Sequence, residues 1–172
     1  IESGYATHAY SRAAAVGLWQ FIASTGRGYK LRVDWWVDER RDPELATDAA
    51  ISYLTDLHKQ YGHWYLAWAA YNAGPGRVNR GIRNHNTRDF WTMVRKSSFR
   101  PETDNYVPKM LAAAIIGKHP ERYGFEGVVR QEPMEHDTVT VPPNVGIDVL
   151  ARCAGISVDD FRSINPHLRR WA

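Results

Sequence analysis

The chain opens Ile1-Glu2-Ser3-Gly4-Tyr5, passes through a run of small residues to Ser11, and reaches Gly17-Leu18-Trp19-Gln20-Phe21. Glu2 gives this stretch its meaning. Ile1, Tyr5, Leu18 and Phe21 are apolar enough to wall a partly dry pocket around it. A carboxylate in such a pocket loses hydration, and its pKa rises from an ordinary value of roughly 4.3. A carboxyl held protonated near neutrality can act as a general acid. A lone glutamate near a chain start is more often simply solvated, so the weight falls on the segments that accompany it.

Three of these share one vocabulary: Trp68-Ala69-Ala70-Tyr71-Asn72-Ala73-Gly74-Pro75-Gly76-Arg77-Val78, Pro101-Glu102-Thr103-Asp104-Asn105-Tyr106-Val107-Pro108, and Asp38-Glu39-Arg40-Arg41-Asp42-Pro43. With Glu2-Ser3 and Gly17-Leu18-Trp19-Gln20, they resemble the lytic transglycosylases of bacterial cell walls, the goose-lysozyme-like branch. The run Trp36-Val37-Asp38-Glu39-Arg40-Arg41-Asp42-Pro43 most resembles the membrane-bound lytic transglycosylase D group of that family. The resemblance covers Ile1 to Gly124, with its motifs in the family's order. It implies a mainly α fold, with a goose-type, lysozyme-like helical domain over residues 1–125. Residues 126–172 look like the front part of a small α/β LysM peptidoglycan-binding module. Of the apolar helix that family members carry ahead of the catalytic Glu, this sequence holds only Ile1.

Composition is consistent with that class without choosing it. The 44% hydrophobic and 24% charged fractions are those of a globular chain, whereas seven Trp and nine Tyr are many for 172 residues and suit stacking on sugar rings. For any single Trp, the core is the commoner place. A net charge of +3 and a pI of about 9.1 fit an anionic partner such as nucleic acid, a membrane surface or peptidoglycan. No Lys/Arg run has the length of a nucleic-acid arm, and no apolar run has the length of a membrane span. The single cysteine, Cys153, excludes an internal disulfide and reads as a small packed residue. The seven histidines form no metal-ligand motif, and Gly74-Pro75-Gly76-Arg77 lacks the Lys-Ser/Thr ending of a phosphate loop. Neither metal nor cofactor is required. With no signal peptide ahead of Glu2, a processed chain is expected rather than a cytosolic one.

Periodicity supplies the elements. A short helix is predicted from Ala15 to Thr25, stopping at Gly26 and Gly28. Asp42-Pro43-Glu44 reads as cap, first position and first-turn acid of a helix. Its buried face is Ala46, Ala49, Ala50, Tyr53, Leu54, Leu57 and Tyr61. Trp64 to Asn72 should be the central buried helix. Thr87 is expected to cap a helix through Phe90, Trp91 and Val94. A helix from Thr103 to Lys118 should bury Tyr106, Val107, Met110, Leu111, Ala114 and Ile115. Glu135 to Val141 reads as a strand, followed by helices at Ile147 to Ala154 and after Ser157.

The resemblance assigns the chemistry. Hydrolases of this bond class use two carboxylates, whereas lytic transglycosylases use one Glu twice, first as acid and then as base toward the C6 hydroxyl of N-acetylmuramic acid. Glu2 takes that role here, in a cleft where it faces Tyr71 and Glu102. Ser11, Gln20, Tyr71, Asn72, Glu102 and Tyr106 match the family's substrate-binding positions. Without the resemblance, Ser11 and Gln20 fit a turn or cap equally well, and Tyr71 and Tyr106 fit a core. Asp34, Asp38, Glu39, Asp42 and Glu102 are second-carboxylate candidates, although capping and pairing with Arg40 and Arg41 suits the Asp38 to Asp42 group better, and substrate hydrogen bonding suits Glu102. The implied partner is the glycan strand of peptidoglycan in the bacterial envelope, on the periplasmic side, with membrane association through a segment outside this chain. Two rival readings are a goose-type lysozyme, with water as acceptor, and a non-catalytic glycan-binding protein on the same scaffold.

Overall fold

The computed structural model describes residues 2–129, 132 and 135–170. Among these lie eight α-helices and no extended sheet, only isolated bridges. The chain forms two compact units, Tyr53–Glu132 and Glu2–Ser52 with Pro133–Ala172, the division falling inside helix α2 (Pro43–Tyr61).

The Tyr53–Glu132 unit is built by apolar packing. Helix α3 (Trp64–Ala73) buries Leu66, Ala67, Ala69 and Ala70, and packs on α4 (Pro75–His85) and α6 (Pro101–Lys118). Small residues on one side of α3 let its neighbours approach closely. Leu57 and Tyr61 of α2, Val78 of α4, Phe90 and Met93 of α5 (Phe90–Arg95), Phe99, and Tyr106 and Val107 of α6 complete the core. At Gly81 an added Cβ would lie 2.4 Å from the Met93 methyl, so this glycine is what lets α4 meet Met93. Gly74, at φ 84°, closes α3, and Pro75 opens α4 in the position where its missing N–H costs nothing. Leu111 and Met110 pack on the core as anticipated, but Ala114 and Ile115 are exposed. Helix α6 has 18 residues and α3 only 10, so at 1.5 Å per residue the last turns of α6 outrun the surface that could cover them. The cap of α5 is Asp89, whose carboxylate accepts from Thr92 N–H, and Thr87 instead accepts from Asp89 N–H.

The other unit contains α1 (Ala23–Gly28), the start of α2, α7 (Ile147–Ala154) and α8 (Val158–Ile164). The helix expected from Ala15 begins only at Ala23. Residues 15–22 instead fold into a tight turn bridged at Val16 and Phe21, with Gly17 at φ 81°. A Cβ on Gly17 would sit 1.8 Å from the Arg40 carbonyl oxygen, so this backbone is pressed against another segment and cannot wind as a helix. Residues 135–141 form no strand. No bridge partner for them exists among the described residues, and β-branched side chains make a strand only where a ladder is available. Helices α7 and α8 fall where the sequence puts them, stopped by Gly155 at φ 70° and capped by Ser157. Cys153 is exposed, because the buried face of α7 is Ile147 and Ala151, one helical turn apart.

The segment after α8 returns to the loop before α2. Asp38 N–H donates to His167 C=O (2.9 Å), Arg169 N–H to Trp36 C=O (2.9 Å), and Val37 bridges Leu168. His167 Nδ1 lies 3.3 Å from Asp42 Oδ2, close enough for an ion pair when protonated though not aligned as a hydrogen bond.

Candidate functional site

Glu2 is half-buried, and the residue after it is tied down: Ser3 Oγ–H donates to Leu18 C=O at 2.9 Å across 15 residues. That bond couples the backbone carrying Glu2 to the Gly17–Gln20 turn. The turn is in turn held by Gln20, whose Nε2 donates to Gly17 C=O (2.8 Å) and Ala9 C=O (3.3 Å) while its own backbone sits at φ 50°. Ser11 Oγ accepts from Ala13 N–H (3.2 Å) and Ala15 N–H (3.0 Å). Both Ser11 and Gln20 therefore take part in holding the turn. Gln20 Oε1 and the Ser11 hydroxyl proton are the groups that these bonds leave over. The expected apolar wall is different from the one present. Phe21 is buried and Leu18 half-buried, but Tyr5 is 92% exposed because Gly4 and Tyr5 both lie in the left-handed region of a turn that carries the ring outward; Ile1 lies outside the described residues.

Beneath the turn lies a buried ion pair whose grip on the turn's backbone spacing alone could not have placed. Arg40 forks onto Asp38, Nε to Oδ1 and Nη2 to Oδ2, both at 2.8 Å, and its Nη1 donates to Phe21 C=O (2.9 Å) and Ala14 C=O (3.1 Å). All three nitrogens of that guanidinium donate to acceptors, which is what a charge in such a place requires. Burial would raise the Asp38 pKa, but the Arg40 hydrogen bonds and charge outweigh it and hold the carboxyl below its ordinary range. The neighbouring acids are also engaged. Asp34 accepts from Val37 N–H, Trp36 N–H and Arg32, Glu39 from Arg32 N–H, and Asp42 caps α2 by accepting from Glu44 and Leu45 N–H.

The remaining sequence-predicted residues belong to the Tyr53–Glu132 unit. Tyr71, at the end of α3, is half-buried, with its ring 5.3 Å from that of Tyr53. Asn72 Oδ1 accepts from the buried Thr103 Oγ1 at 2.7 Å, which ties α3 to the first turn of α6. Glu102 is exposed in that first turn, where a carboxylate complements the helix dipole. Tyr106 is 7% exposed and sits in the core cluster, the packing alternative that its apolar neighbours allowed. Sequence reading missed Asp104. One of its carboxyl oxygens is buried with no hydrogen-bond partner among the described residues, and burial pushes its pKa up. Its position in a first turn looks like ordinary dipole complementation, so nothing in the spacing flags it. Among the described residues no cluster of His, Cys, Asp and Glu could hold a metal ion.

Comparison with known proteins bears on what this arrangement is. The chain is 39% identical over 170 residues to the membrane-bound lytic murein transglycosylase D of Escherichia coli (strain K12) and to that of strain O6:H1 (CFT073). Those matches cover 96% of this chain but only 37% of each relative, so the chain spans little more than a third of their length. A stretch of 80 residues, 45% of the chain, is 38% identical to the soluble lytic murein transglycosylase of Salmonella typhimurium (strain LT2), of which it covers 12%. The family profile described as the transglycosylase SLT domain matches residues 1–94, taking in Glu2, the turn tied to it, the Asp38–Arg40 pair and α3. With more than half of its residues inside that profile and the elements that hold Glu2 among them, the chain belongs to the transglycosylase SLT domain family.

Proposed function

We propose that this chain carries a peptidoglycan lytic transglycosylase activity, cleaving the β-1,4 bond between N-acetylmuramic acid and N-acetylglucosamine without adding water. The observation that carries the reading is the family match over residues 1–94, which includes Glu2 and its tethered turn. In this reading the protonated Glu2 carboxyl donates to the glycosidic oxygen as the C1–O bond breaks. The resulting carboxylate then takes the C6 hydroxyl proton as that oxygen closes on C1, leaving a 1,6-anhydro end and restoring the acid. Engagement of Asp34, Asp38, Glu39 and Asp42 in caps and pairs supports a mechanism that uses one carboxylate twice.

Substrate-binding roles go to the Ser11 hydroxyl, the Gln20 carbonyl, Tyr71, Asn72, Glu102 and Tyr106, whose polar groups suit sugar hydroxyl and N-acetyl recognition. Residues 1–125 form the catalytic part, and the α7–α8 region of residues 126–172 adds contacts to the wall polymer, as a LysM-like segment would. The setting is the bacterial envelope, on the periplasmic side. No helix among the described residues is long and apolar enough to cross a membrane, so an anchor in this reading lies outside this chain.

The test is Glu2→Gln assayed on purified sacculi, with mass spectrometry of the products. Loss of one proton transfer typically costs about 10²–10⁴-fold, and this variant loses both, so release should fall by at least that much with the melting temperature unchanged. Products that carry an added water would identify a hydrolase, and near-normal release by Glu2→Gln would remove Glu2 from the chemistry.

A further inference from the structure

A cavity of about 550 Å³ in the Glu2–Ser52 with Pro133–Ala172 unit is lined by four arginines: Arg41 from the loop before α2, Arg162 from α8, and Arg169 and Arg170 after it. Asp159 is the carboxylate among its lining residues. A volume of that size lies within the range of sites for small organic ligands. Arg41 Nε is buried with no hydrogen-bond partner, and among the described residues no ion pair joins a carboxylate to Arg41, Arg169 or Arg170. Two of these side chains are nevertheless fixed. Arg169 Nη1 donates to Asp34 C=O at 2.9 Å, and the Arg170 guanidinium lies 4.1 Å above the Trp35 ring. Arginines held in place around a concave surface, with charge to spare, form a preorganised receptor for planar anions, because the guanidinium fork matches a carboxylate bidentately.

We infer that this pocket binds an acidic peptide, the peptide carried on the wall glycan, through carboxylates spaced along its chain. The inference rests on the wall-polymer reading above and adds a peptide subsite to it, built by residues outside the 1–94 family match except for His8 and Arg41. The guanidiniums come from separate segments and surround a volume of organic-ligand size. A ligand that carries several carboxylates along its length fills a volume of that size, whereas a single small anion would leave most of it empty.

The experiment uses the whole chain and a synthetic tetrapeptide, L-alanyl-γ-D-glutamyl-meso-diaminopimelyl-D-alanine, titrated calorimetrically, with inorganic phosphate as competitor. Wild type should bind the peptide with an affinity that weakens as salt rises. Arg41→Gln combined with Arg170→Gln should bind about tenfold more weakly, whereas Arg41→Lys with Arg170→Lys, which keeps both charges but loses the planar fork, should fall between wild type and the Gln variant. Melting curves of both double variants separate lost recognition from lost folding. Arg83→Gln, on the exposed side of α4, should match wild type. Equal binding by wild type and the Gln variant at equal melting temperature overturns the inference. So does displacement of the peptide by an equal concentration of phosphate, which marks a general anion site. On substrate, the Gln variant should raise KM for peptide-bearing sacculi and leave cleavage of peptide-stripped glycan unchanged. If wild type cleaves neither, the proposed function fails while the titration still decides the pocket.

Discussion

The two compact units solve the same problem with different physics. In Tyr53–Glu132, Leu66, Phe90, Met93 and Val107 are almost completely enclosed, and the helices exist because each has an apolar face to hide. In Glu2–Ser52 with Pro133–Ala172, long irregular stretches are held by side chains reaching backbone: Ser3 to Leu18, Gln20 to Gly17, Arg40 to Ala14 and Phe21, Asp34 to Trp36 and Val37. Burial is non-directional and tolerates modest change, whereas a polar lattice fixes atoms to within a hydrogen bond's tolerance and fails when one partner is lost. Under the function proposed above, Glu2 would meet a glycosidic oxygen and would benefit from the second kind of support.

Three substitutions sharpen or break that contrast. Asp38→Asn strands the buried Arg40 charge and should cost about 3–5 kcal/mol, with amide exchange accelerating at residues 14–21 while α3 stays protected. The same pair predicts the acid response. The Asp38 carboxyl titrates below its unfolded range, so its contribution is present above the unfolded value of 3.8 and disappears as pH falls through the lower folded value. Wild type should lose this increment below that pH, and Asp38→Asn should show no such step. If both titrate alike, the polar lattice is not anchored at Asp38.

Leu66→Ala should cost about 2–5 kcal/mol through lost burial and a residual cavity, with no pH dependence between 3 and 7 attributable to the substitution. Exchange should rise in α3, α4 and α6 and not at residues 14–21. Protection lost evenly across both regions would show that the contrast is only descriptive. The smallest effect is expected at Ser3→Ala, about 1 kcal/mol for one partly buried hydrogen bond. Its informative readout is turnover: if the Leu18 tether orients Glu2, kcat should drop out of proportion to the stability loss, with KM little changed. A drop in stability alone would make the tether purely structural.

Legibility from sequence followed the same divide. Helix α2 and its buried alanines, α3, and α7 and α8 with the Ser157 cap were all readable, because period and capping are local. The turn at residues 15–22 was not, because what forbids a helix there is the Arg40 carbonyl, which is distant in sequence. The strand expected at 135–141 failed for a related reason: propensity is local, and a ladder is not. Capping by Asp42 and pairing of Asp38 with Arg40 could be anticipated from their spacing, but the further grip of Arg40 on Ala14 and Phe21 could not. The buried oxygen of Asp104 left no sequence trace at all.

The bonds between residues 36–38 and 167–169 have a consequence for biosynthesis. Arg169 reaches Asp34 across 135 residues. Closing a loop of that length carries an entropy cost that grows only slowly with its size, but it cannot begin until the far end exists. On a ribosome adding about 5–20 residues per second, Tyr53–Glu132 has its whole sequence available while His167 to Arg170 are still unmade. The unit that carries Glu2 is therefore completed only after Tyr53–Glu132 has been made, and any activity that depends on it should appear only once residues 167–170 have emerged.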